Sequence, residues 1–179
     1  SLEGDSTTFA GSGTAAVTDN TGVLAEFKSP AMVAVDTTGA IFVTETVGHV
    51  VRRVDAGAVV TTLAGTPEVF GFNDDTGLAA LFRAPTGVAM FNGDAELLIA
   101  DSVNNCIRHV VILSKVVTTY AGSTTQAYGF IDGPKALFHD VRGIATTAAN
   151  IAYVTEDNNH AVRKILADRS VVTIAGTGG

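Results

Sequence analysis

An internal repeat is the feature that most limits how this chain can fold. Short strings ending in Ala-Gly return at Gly11, Gly65, Gly122 and Gly176, at steps of 54, 57 and 54 residues. Phenylalanines, acidic residues and arginines keep the same register. They are Phe27, Phe82 and Phe138; Glu45, Asp101 and Glu156; and Arg52, Arg108 and Arg163. Independent markers in one register indicate three complete copies of a unit with a period of about 55 residues.

Each copy contains four short segments with the period-two alternation of strands, and none shows a long helical pattern. The predicted strands are 32–36, 40–45, 49–55 and 59–64 in the first copy, 88–91, 96–101, 106–111 and 116–121 in the second, and 143–146, 151–156, 161–166 and 171–175 in the third. Short connections make each copy an antiparallel four-stranded meander, which cannot bury both of its faces alone. Copies that stack radially form the blades of a β-propeller.

The repeat also predicts the domain organisation. Residues 1–179 form one propeller segment, with an edge strand at 7–11, blade 1 at 12–65, blade 2 at 66–122 and blade 3 at 123–176. Closed propellers have about four to eight blades, so three are too few. We therefore expect half of a six-bladed ring, completed either by further chain or by a second copy in a homodimer. The recurring phenylalanines are expected to fill the gaps between blades.

Composition and charge narrow the classes of partner. Hydrophobic residues make up 46% and charged residues 16%, which favours a folded core over disorder. The formal charge of −7 is opposite to that of a typical nucleic-acid-binding protein, so nucleic acid is disfavoured. No apolar stretch approaches the length of about 20 residues that a membrane helix needs. A single cysteine, Cys106, excludes an internal disulfide framework. Nothing in the sequence assigns a cellular compartment.

The motifs inside the copies resemble those of NHL-repeat β-propellers in their long-repeat form. The second copy carries Ala80-x-Phe82-x-x-Pro85-x-Gly87 and then Asp101-x-x-Asn104-x-x-Ile107-Arg108, and the third carries Asn159-His160 at the position of the family's name-giving pair. The resemblance covers essentially the whole chain. Gly48 replaces the Asn, Asn105 replaces the His, and Val141 stands where the other copies have Pro.

The repeated acids and arginines are the first candidate site. In each copy a carboxylate ends the second predicted strand, and an arginine follows seven residues later in the third. Hairpin geometry brings the two together, and the planar fork of a guanidinium suits a carboxylate. We expect an ion pair that stabilises each blade. The alternative is a ring of acids that binds a cation or a basic peptide.

The loop tips and the acidic turns are the other candidates. Polar residues at the turns between the second and third strands are predicted to bind a ligand: His49, Asn104, Asn105, Asp157, Asn159 and His160. Acidic turns recur at Asp19-Asn20, Asn73-Asp74-Asp75 and Asp132. Imidazole and carboxylate groups are also ligands of zinc and calcium, but no dedicated spacing is present. We predict no metal ligand and no cofactor, with zinc or calcium as the alternative.

The expected function is a non-enzymatic propeller scaffold. Its acidic, Asn-rich loop face would bind a protein or peptide, one with basic side chains in the simplest case. The sequence carries no nucleophile elbow, zinc helix or phosphate-binding loop, so no catalytic residue is predicted. A propeller enzyme with a metal-assisted lyase or hydrolase site in the central channel is the alternative, by analogy with the fold. RNA binding, which the resemblance also allows, ranks third because of the charge.

Overall fold

The computed structural model describes residues 6–178, which form three antiparallel sheets. Helical structure in this part of the chain is limited to three single 3-10 turns, at Gly22–Leu24, Gly77–Ala79 and Ser102–Asn104. The prediction of an all-β chain built from four-stranded blades is confirmed. The turn at Gly77–Ala79 begins where Gly77 adopts a φ of 57°, and the chain is extended again from Ala80.

Blade 1 is a five-stranded sheet in the order β1-β5-β4-β3-β2. Four of its strands form the predicted meander, and a two-residue strand from the preceding loop pairs with the outer edge. The strands are β1 (Asn20–Thr21), β2 (Pro30–Val35), β3 (Ile41–Glu45), β4 (Val50–Val54) and β5 (Val59–Ala64).

Blades 2 and 3 are four-stranded meanders whose strands follow one another in chain order. Blade 2 comprises β6 (Pro85–Phe91), β7 (Glu96–Asp101), β8 (Cys106–Val111) and β9 (Val117–Gly122). Blade 3 comprises β10 (Val141–Thr146), β11 (Ala152–Glu156), β12 (Ala161–Ile165) and β13 (Val171–Ala175). The first strand of blade 2, β6, contacts both β2 and β10, so the three first strands form the inner wall of the arc.

The hydrophobic core lies between blades. One cluster joins blades 1 and 2 around Phe82, and another joins blades 2 and 3 around Phe138. Both rings are fully buried, whereas Phe27 is only partly buried against blade 1. Strand β7 contributes to both clusters, with Leu97 facing blade 1 and Leu98 facing blade 3. Because successive side chains of a strand point to opposite faces, blade 2, which has neighbours on both sides, is apolar at all four central positions of its second strand, 97–100.

Residues 7–11, expected to be the edge strand of a preceding blade, form no strand pairing in the structure. A strand there would need a neighbouring sheet beyond blade 1. The edge strand therefore stays a prediction. In the part of the chain that the structure describes, no helix has the length and apolar character needed to cross a membrane.

Three of the four Ala-Gly glycines that revealed the repeat, Gly65, Gly122 and Gly176, are required by close packing at the end of the fourth strand of each blade. Gly65 has a φ of 96°, and a Cβ built on it would lie 2.6 Å from the carbonyl oxygen of His49. Gly122 adopts the same conformation, with a φ of 100°. A left-handed backbone pressed against the start of the third strand excludes any residue with a side chain.

We expect Gly65→Ala to lower the free energy of unfolding by about 2–3 kcal/mol, because it adds backbone strain and a backbone clash. Gly57→Ala is the matched control, since Gly57 lies in a turn of the same blade and its Cβ would meet its nearest atom at 3.4 Å. That variant should change stability by no more than about 0.5 kcal/mol. Urea denaturation measures both values, and equal losses would contradict the packing argument.

Candidate functional site

Each blade is built around one fully buried arginine. In blade 2, Nη1 of Arg108 donates to the Asp101 carboxylate at 3.0 Å and to the carbonyl oxygen of Leu81 at 2.9 Å. Its Nη2 donates to Asp74 at 2.6 Å and to the carbonyl oxygen of Asn73 at 2.9 Å. One guanidinium thus joins the hairpin of the blade to the long loop that enters it. We call this arrangement the arginine clamp.

The same clamp occurs in the other two blades. Arg52 binds Glu45 at 2.5 Å and Asp19 at 2.8 Å, and Arg163 binds Glu156 at 2.5 Å and Asp132 at 2.7 Å. All three arginine side chains are fully buried. A register shift in the pairing of the third and fourth strands falls next to the arginine in every blade.

Aromatic rings complete the clamp. The guanidinium carbon of Arg108 lies 4.8 Å from the ring centre of Phe72 and 5.2 Å from that of Phe82. Arg163 lies between Phe130 and Phe138 in the same way. An aromatic face attracts a guanidinium that has lost its water, so the rings lower the cost of burying the charge. The recurring phenylalanines therefore contact a cation as well as filling the gap between blades.

The acidic turns belong to the clamp too. Asp74 accepts hydrogen bonds from the backbone N–H of Thr119 at 3.0 Å and from its hydroxyl at 3.2 Å, while holding Arg108. Asp132 makes the same pair of bonds to Thr173 and pairs with Arg163. Hydrogen bonds from Thr173 and Arg163 lower the pKa of Asp132 against the opposing effect of its desolvation. These aspartates therefore hold the long loop against the outer strand.

The carboxylates that end the second strands are enclosed. Burial raises the pKa of Asp101 to about 6, although the charge of Arg108 and hydrogen bonds from Asn104 and Arg83 act in the opposite direction. Burial also raises the pKa of Glu45. Neither side chain is exposed to solvent. These positions therefore do not form a ring of acids that is open to a cation or peptide.

Two of the predicted loop residues are also internal. Asn104 is fully buried and donates to the Gly71 carbonyl oxygen and to Asp101, both at 2.8 Å. Asn159 is buried in blade 3 and donates to the Gly129 carbonyl oxygen at 2.8 Å and to Glu156 at 2.5 Å. Both side chains are committed to hydrogen bonds within their own blade, so a role for these two residues in ligand binding stays a prediction.

Three further loop residues share one conformation and one position in the repeat. His49, Asn105 and His160 all have left-handed backbone, with φ of 58°, 55° and 49°. Nδ1 of His49 accepts the N–H of Ala84 at 3.1 Å, and Oδ1 of Asn105 accepts the N–H of Asp140 at 2.9 Å. Each bond runs from one blade to the next, and we call it the blade latch.

The first latch requires an unprotonated Nδ1. Burial, with a further contribution from the positive charges of Arg83 and Lys28, lowers the pKa of His49. The imidazole is therefore held in the form that accepts a hydrogen bond. His160 occupies the same position in blade 3, and its side chain is exposed.

An open cavity of about 400 Å³ lies where blades 2 and 3 meet on the face that carries these turns, which we call the loop face. Of the predicted residues, Asn105 lines the cavity, and Asn158, next to the predicted Asp157, lines it as well. The other lining residues with functional groups are Ser102, His139, Asp140 and Arg142, together with Thr46 and Thr86.

Charged groups at this cavity are arranged as a chain. Arg142 donates to Asp140 at 2.7 Å and lies 3.6 Å from the carboxylate of Asp157. The other oxygen of Asp140 accepts the hydroxyl of Ser102 at 2.5 Å. His139 stacks on Tyr128 with ring centres 4.6 Å apart. Arg142 and Asp157 are half-exposed or more, so both remain accessible to a ligand.

Sequence reasoning missed Ser102, Asp140 and Arg142, although the repeat contains a signal for the last two. In the strand register, Asp140 corresponds to Ser29 and Ala84, and Arg142 corresponds to Ala31 and Thr86. At these two positions blade 3 thus carries a charged pair, whereas blades 1 and 2 carry small residues. A position at which one copy departs from the others indicates a role beyond the fold.

No group of three or more His, Cys, Asp or Glu side chains within residues 6–178 is placed to hold a metal ion. Cys106 is buried in the second blade, and desolvation raises the pKa of its thiol well above the ordinary range. A thiol held in the protonated form packs as a small apolar group.

Comparison with known proteins supports the fold at the level of the blades. No family model matches the chain. The chloroplastic Protein SUPPRESSOR OF QUENCHING 1 of Arabidopsis thaliana is 35% identical over 98 residues, which are 54% of this chain and 9% of that protein. The chain therefore spans about a tenth of the length of this relative.

Solved structures match over more of the chain. An auxiliary nutrient binding protein from Bacteroides thetaiotaomicron superposes with a TM-score of 0.67 at 19% identity, over 79% of this chain and 36% of that one. An auxiliary nutrient binding protein from Bacteroides ovatus superposes with a TM-score of 0.62 at 18% identity, over 85% of this chain and 50% of that one. Virginiamycin B lyase from Staphylococcus aureus superposes with a TM-score of 0.55 at 14% identity, over 81% of this chain and 40% of that one. At these identities the likeness shows a propeller-like fold alone.

The clamp predicts a large difference between two neighbouring arginines of β4. Arg52→Met leaves the buried Glu45 without its counter-charge and should lower the free energy of unfolding by about 3–5 kcal/mol. Arg53→Met, one residue further along the strand and partly exposed, should cost no more than about 1 kcal/mol. Chemical denaturation followed by circular dichroism measures both, and losses of similar size would argue against the clamp.

The raised pKa of Asp101 gives a pH dependence of known sign. Its folded-state pKa of about 6 exceeds the ordinary aspartate pKa of 3.8, so the native state binds this proton more tightly than the unfolded chain. The contribution of this group to stability is therefore fully present below about pH 4 and is lost as the pH rises through about 6. Carbon-13 NMR of the Asp101 carboxyl should show a titration midpoint near 6, and a midpoint near 4 would contradict the burial argument.

Proposed function

We propose that this chain is part of an NHL-type propeller that acts as a non-enzymatic binding module, with its ligand site at the loop-face cavity between blades 2 and 3. The family assignment is supported by the motif register described above and by the propeller-like fold. The observation that carries the function is the charged pair of Asp140 and Arg142, which one blade places beside an open cavity where the other blades have small residues.

The ligand class is proposed from the chemistry of this cavity. Hydroxyl, amide, carboxylate and guanidinium groups line it, which suits a peptide segment with both polar backbone and charged side chains. Asp157 is 63% exposed at its rim and shares Arg142 with Asp140. A basic side chain of a ligand could take the place of Arg142 between these two carboxylates, and the net charge of −7 favours such a partner at long range.

This proposal predicts opposite changes in peptide affinity when the charge of Asp157 and the charge of Arg142 are removed. With fluorescent nonapeptides of basic, neutral and acidic composition, we expect the basic set to bind, and Asp157→Asn to weaken it by about tenfold. Arg142→Ala should strengthen the same peptides, because it removes the competing internal cation. Fluorescence anisotropy at two salt concentrations measures these changes.

The matched control is Asp168→Asn, which changes an exposed aspartate in the turn between β12 and β13, at the other end of the same blade. It should leave peptide affinity unchanged. Preferential binding of the acidic peptides, or of a single-stranded RNA oligonucleotide included in the same series, would overturn the proposed ligand class. An unchanged affinity in Asp157→Asn would overturn the proposed site.

A further inference from the structure

A second cavity lies between blades 2 and 3, at the ends of the strands opposite the loop face. This end of the blades is formed by the turns between the first and second strands and between the third and fourth strands, and we call it the turn face. The cavity has a volume of about 330 Å³, close to the lower end of the range of about 300–1,000 Å³ for small-molecule sites. Its walls belong to blades 2 and 3, both of which the structure describes in full.

A histidine held by a carboxylate forms one wall of this turn-face cavity. Nε2 of His109 lies 2.7 Å from the carboxylate of Glu96, whose other oxygen accepts the side-chain N–H of Asn92 at 3.1 Å. The side chains of His109 and Glu96 are only 15% and 20% exposed. Because an ionised carboxylate can only accept a hydrogen bond, Nε2 carries the proton and Nδ1 of the neutral ring is left as an acceptor. Within residues 6–178 this Nδ1 has no hydrogen-bond partner.

Aromatic rings surround the imidazole. The ring centres of Phe91 and Tyr120 lie 6.3 Å and 6.1 Å from that of His109 and 5.4 Å from each other. Phe91 and Tyr120 both line the cavity and are each 8% exposed. Burial raises the pKa of Tyr120, although the charge of Arg169 acts in the opposite direction, so its hydroxyl stays protonated. These rings offer a flat apolar surface to a ligand.

Blade 3 adds a cation at the rim. The guanidinium carbon of Arg169 lies 4.9 Å from the ring centre of Tyr120, and the residue lines the cavity from an exposed turn. No carboxylate within residues 6–178 forms an ion pair with it. A guanidinium presents a planar fork of donors that fits a carboxylate. The rim of the cavity is therefore suited to an anionic group.

The repeat shows that this wall is particular to blade 2. At the positions of Phe91, Glu96 and His109, blade 1 carries Asp36, Ala40 and Arg53, and blade 3 carries Thr147, Ile151 and Lys164. The fold of a blade thus forms without the aromatic ring, the carboxylate and the imidazole at these positions. Neighbouring positions at which one copy departs from the other two indicate a role beyond the fold, as they do at the loop-face cavity.

We propose that the turn-face cavity is a second ligand site, separate from the loop-face cavity, and that it binds a small aromatic hydroxycarboxylate. The carboxylate of the ligand pairs with Arg169, its ring packs on Phe91 and Tyr120, and its hydroxyl donates to Nδ1 of His109. Both polar residues adjoin the ring of Tyr120, so one ligand ring beside it reaches the two. The small volume limits the ligand to about one ring.

Three probes separate the two polar contacts on the unaltered chain. 4-Hydroxybenzoate carries both groups, benzoate lacks the hydroxyl, and 4-hydroxybenzamide lacks the charge. We expect 4-hydroxybenzoate to bind, with saturable changes in the amide NMR signals of residues 91–96 and 167–170, and each of the other probes to bind about tenfold more weakly. No saturable change with 4-hydroxybenzoate would overturn the site. Equal affinity for all three probes would overturn the proposed ligand class.

Substitutions then assign each contact to its residue. His109→Phe keeps a ring in the cluster and removes the acceptor, so it should weaken 4-hydroxybenzoate by about tenfold and leave benzoate unchanged. Arg169→Asn removes the cation at a position with a φ of 67°, a left-handed conformation that Asn adopts readily. It should weaken 4-hydroxybenzoate and benzoate by about tenfold and leave 4-hydroxybenzamide unchanged.

The matched control is Lys115→Asn, which removes a positive charge at the corresponding left-handed position of the turn in blade 2, with a φ of 58°. It should leave the affinity for all three probes unchanged. Circular dichroism verifies that the variants are folded, and the probe series on the unaltered chain stands if His109→Phe is not. Equal losses in Lys115→Asn and Arg169→Asn would show a general effect of charge and overturn the contact with Arg169. Asp157→Asn should not change the affinity for 4-hydroxybenzoate, and a loss there would place the probe at the loop-face cavity instead.

Discussion

The structure depends on the burial of one arginine in each blade. A guanidinium removed from water is stable only when its donors find acceptors and its charge finds a counter-charge. The two Nη atoms of Arg108 meet both requirements with two carboxylates, two backbone carbonyls and two aromatic rings, whereas its buried Nε has no hydrogen-bond partner within residues 6–178. These partners come from separate stretches of the chain, so satisfying the arginine fixes the hairpin, the entering loop and the gap between blades together. The acids, arginines and phenylalanines that repeat along the sequence are the residues that meet this requirement.

The same constraint explains why some polar residues that looked functional are internal. Asn104 and Asn159 have the residue type of a ligand-binding loop, but each supplies hydrogen bonds to the carboxylate of a clamp and to a neighbouring carbonyl. A position that is polar in successive copies more often serves the fold, whereas a polar position found in one copy is free to serve a ligand. Asp140 and Arg142 are of the second kind. Recurrence in successive copies therefore distinguishes the polar residues of the clamp from the charged pair at the cavity.

The number and type of the strands could be predicted because alternation and turn residues act locally. The pairing of Glu45 with Arg52 also followed from the sequence, because both lie on one hairpin. The role of Asp74 could not be predicted, since the loop that carries it meets the arginine only after folding. The cavity was missed for the same reason: Ser102 belongs to blade 2 and Asp140 to the start of blade 3, and only the packing of the two blades joins them.

The sequence by itself determined the blade. Its repeat set the period, its alternation set the four strands, and its glycines marked the ends of the sheets. The tertiary structure decided what each polar group does, because burial and hydrogen-bonding partners depend on how sheets stack rather than on neighbours in the chain.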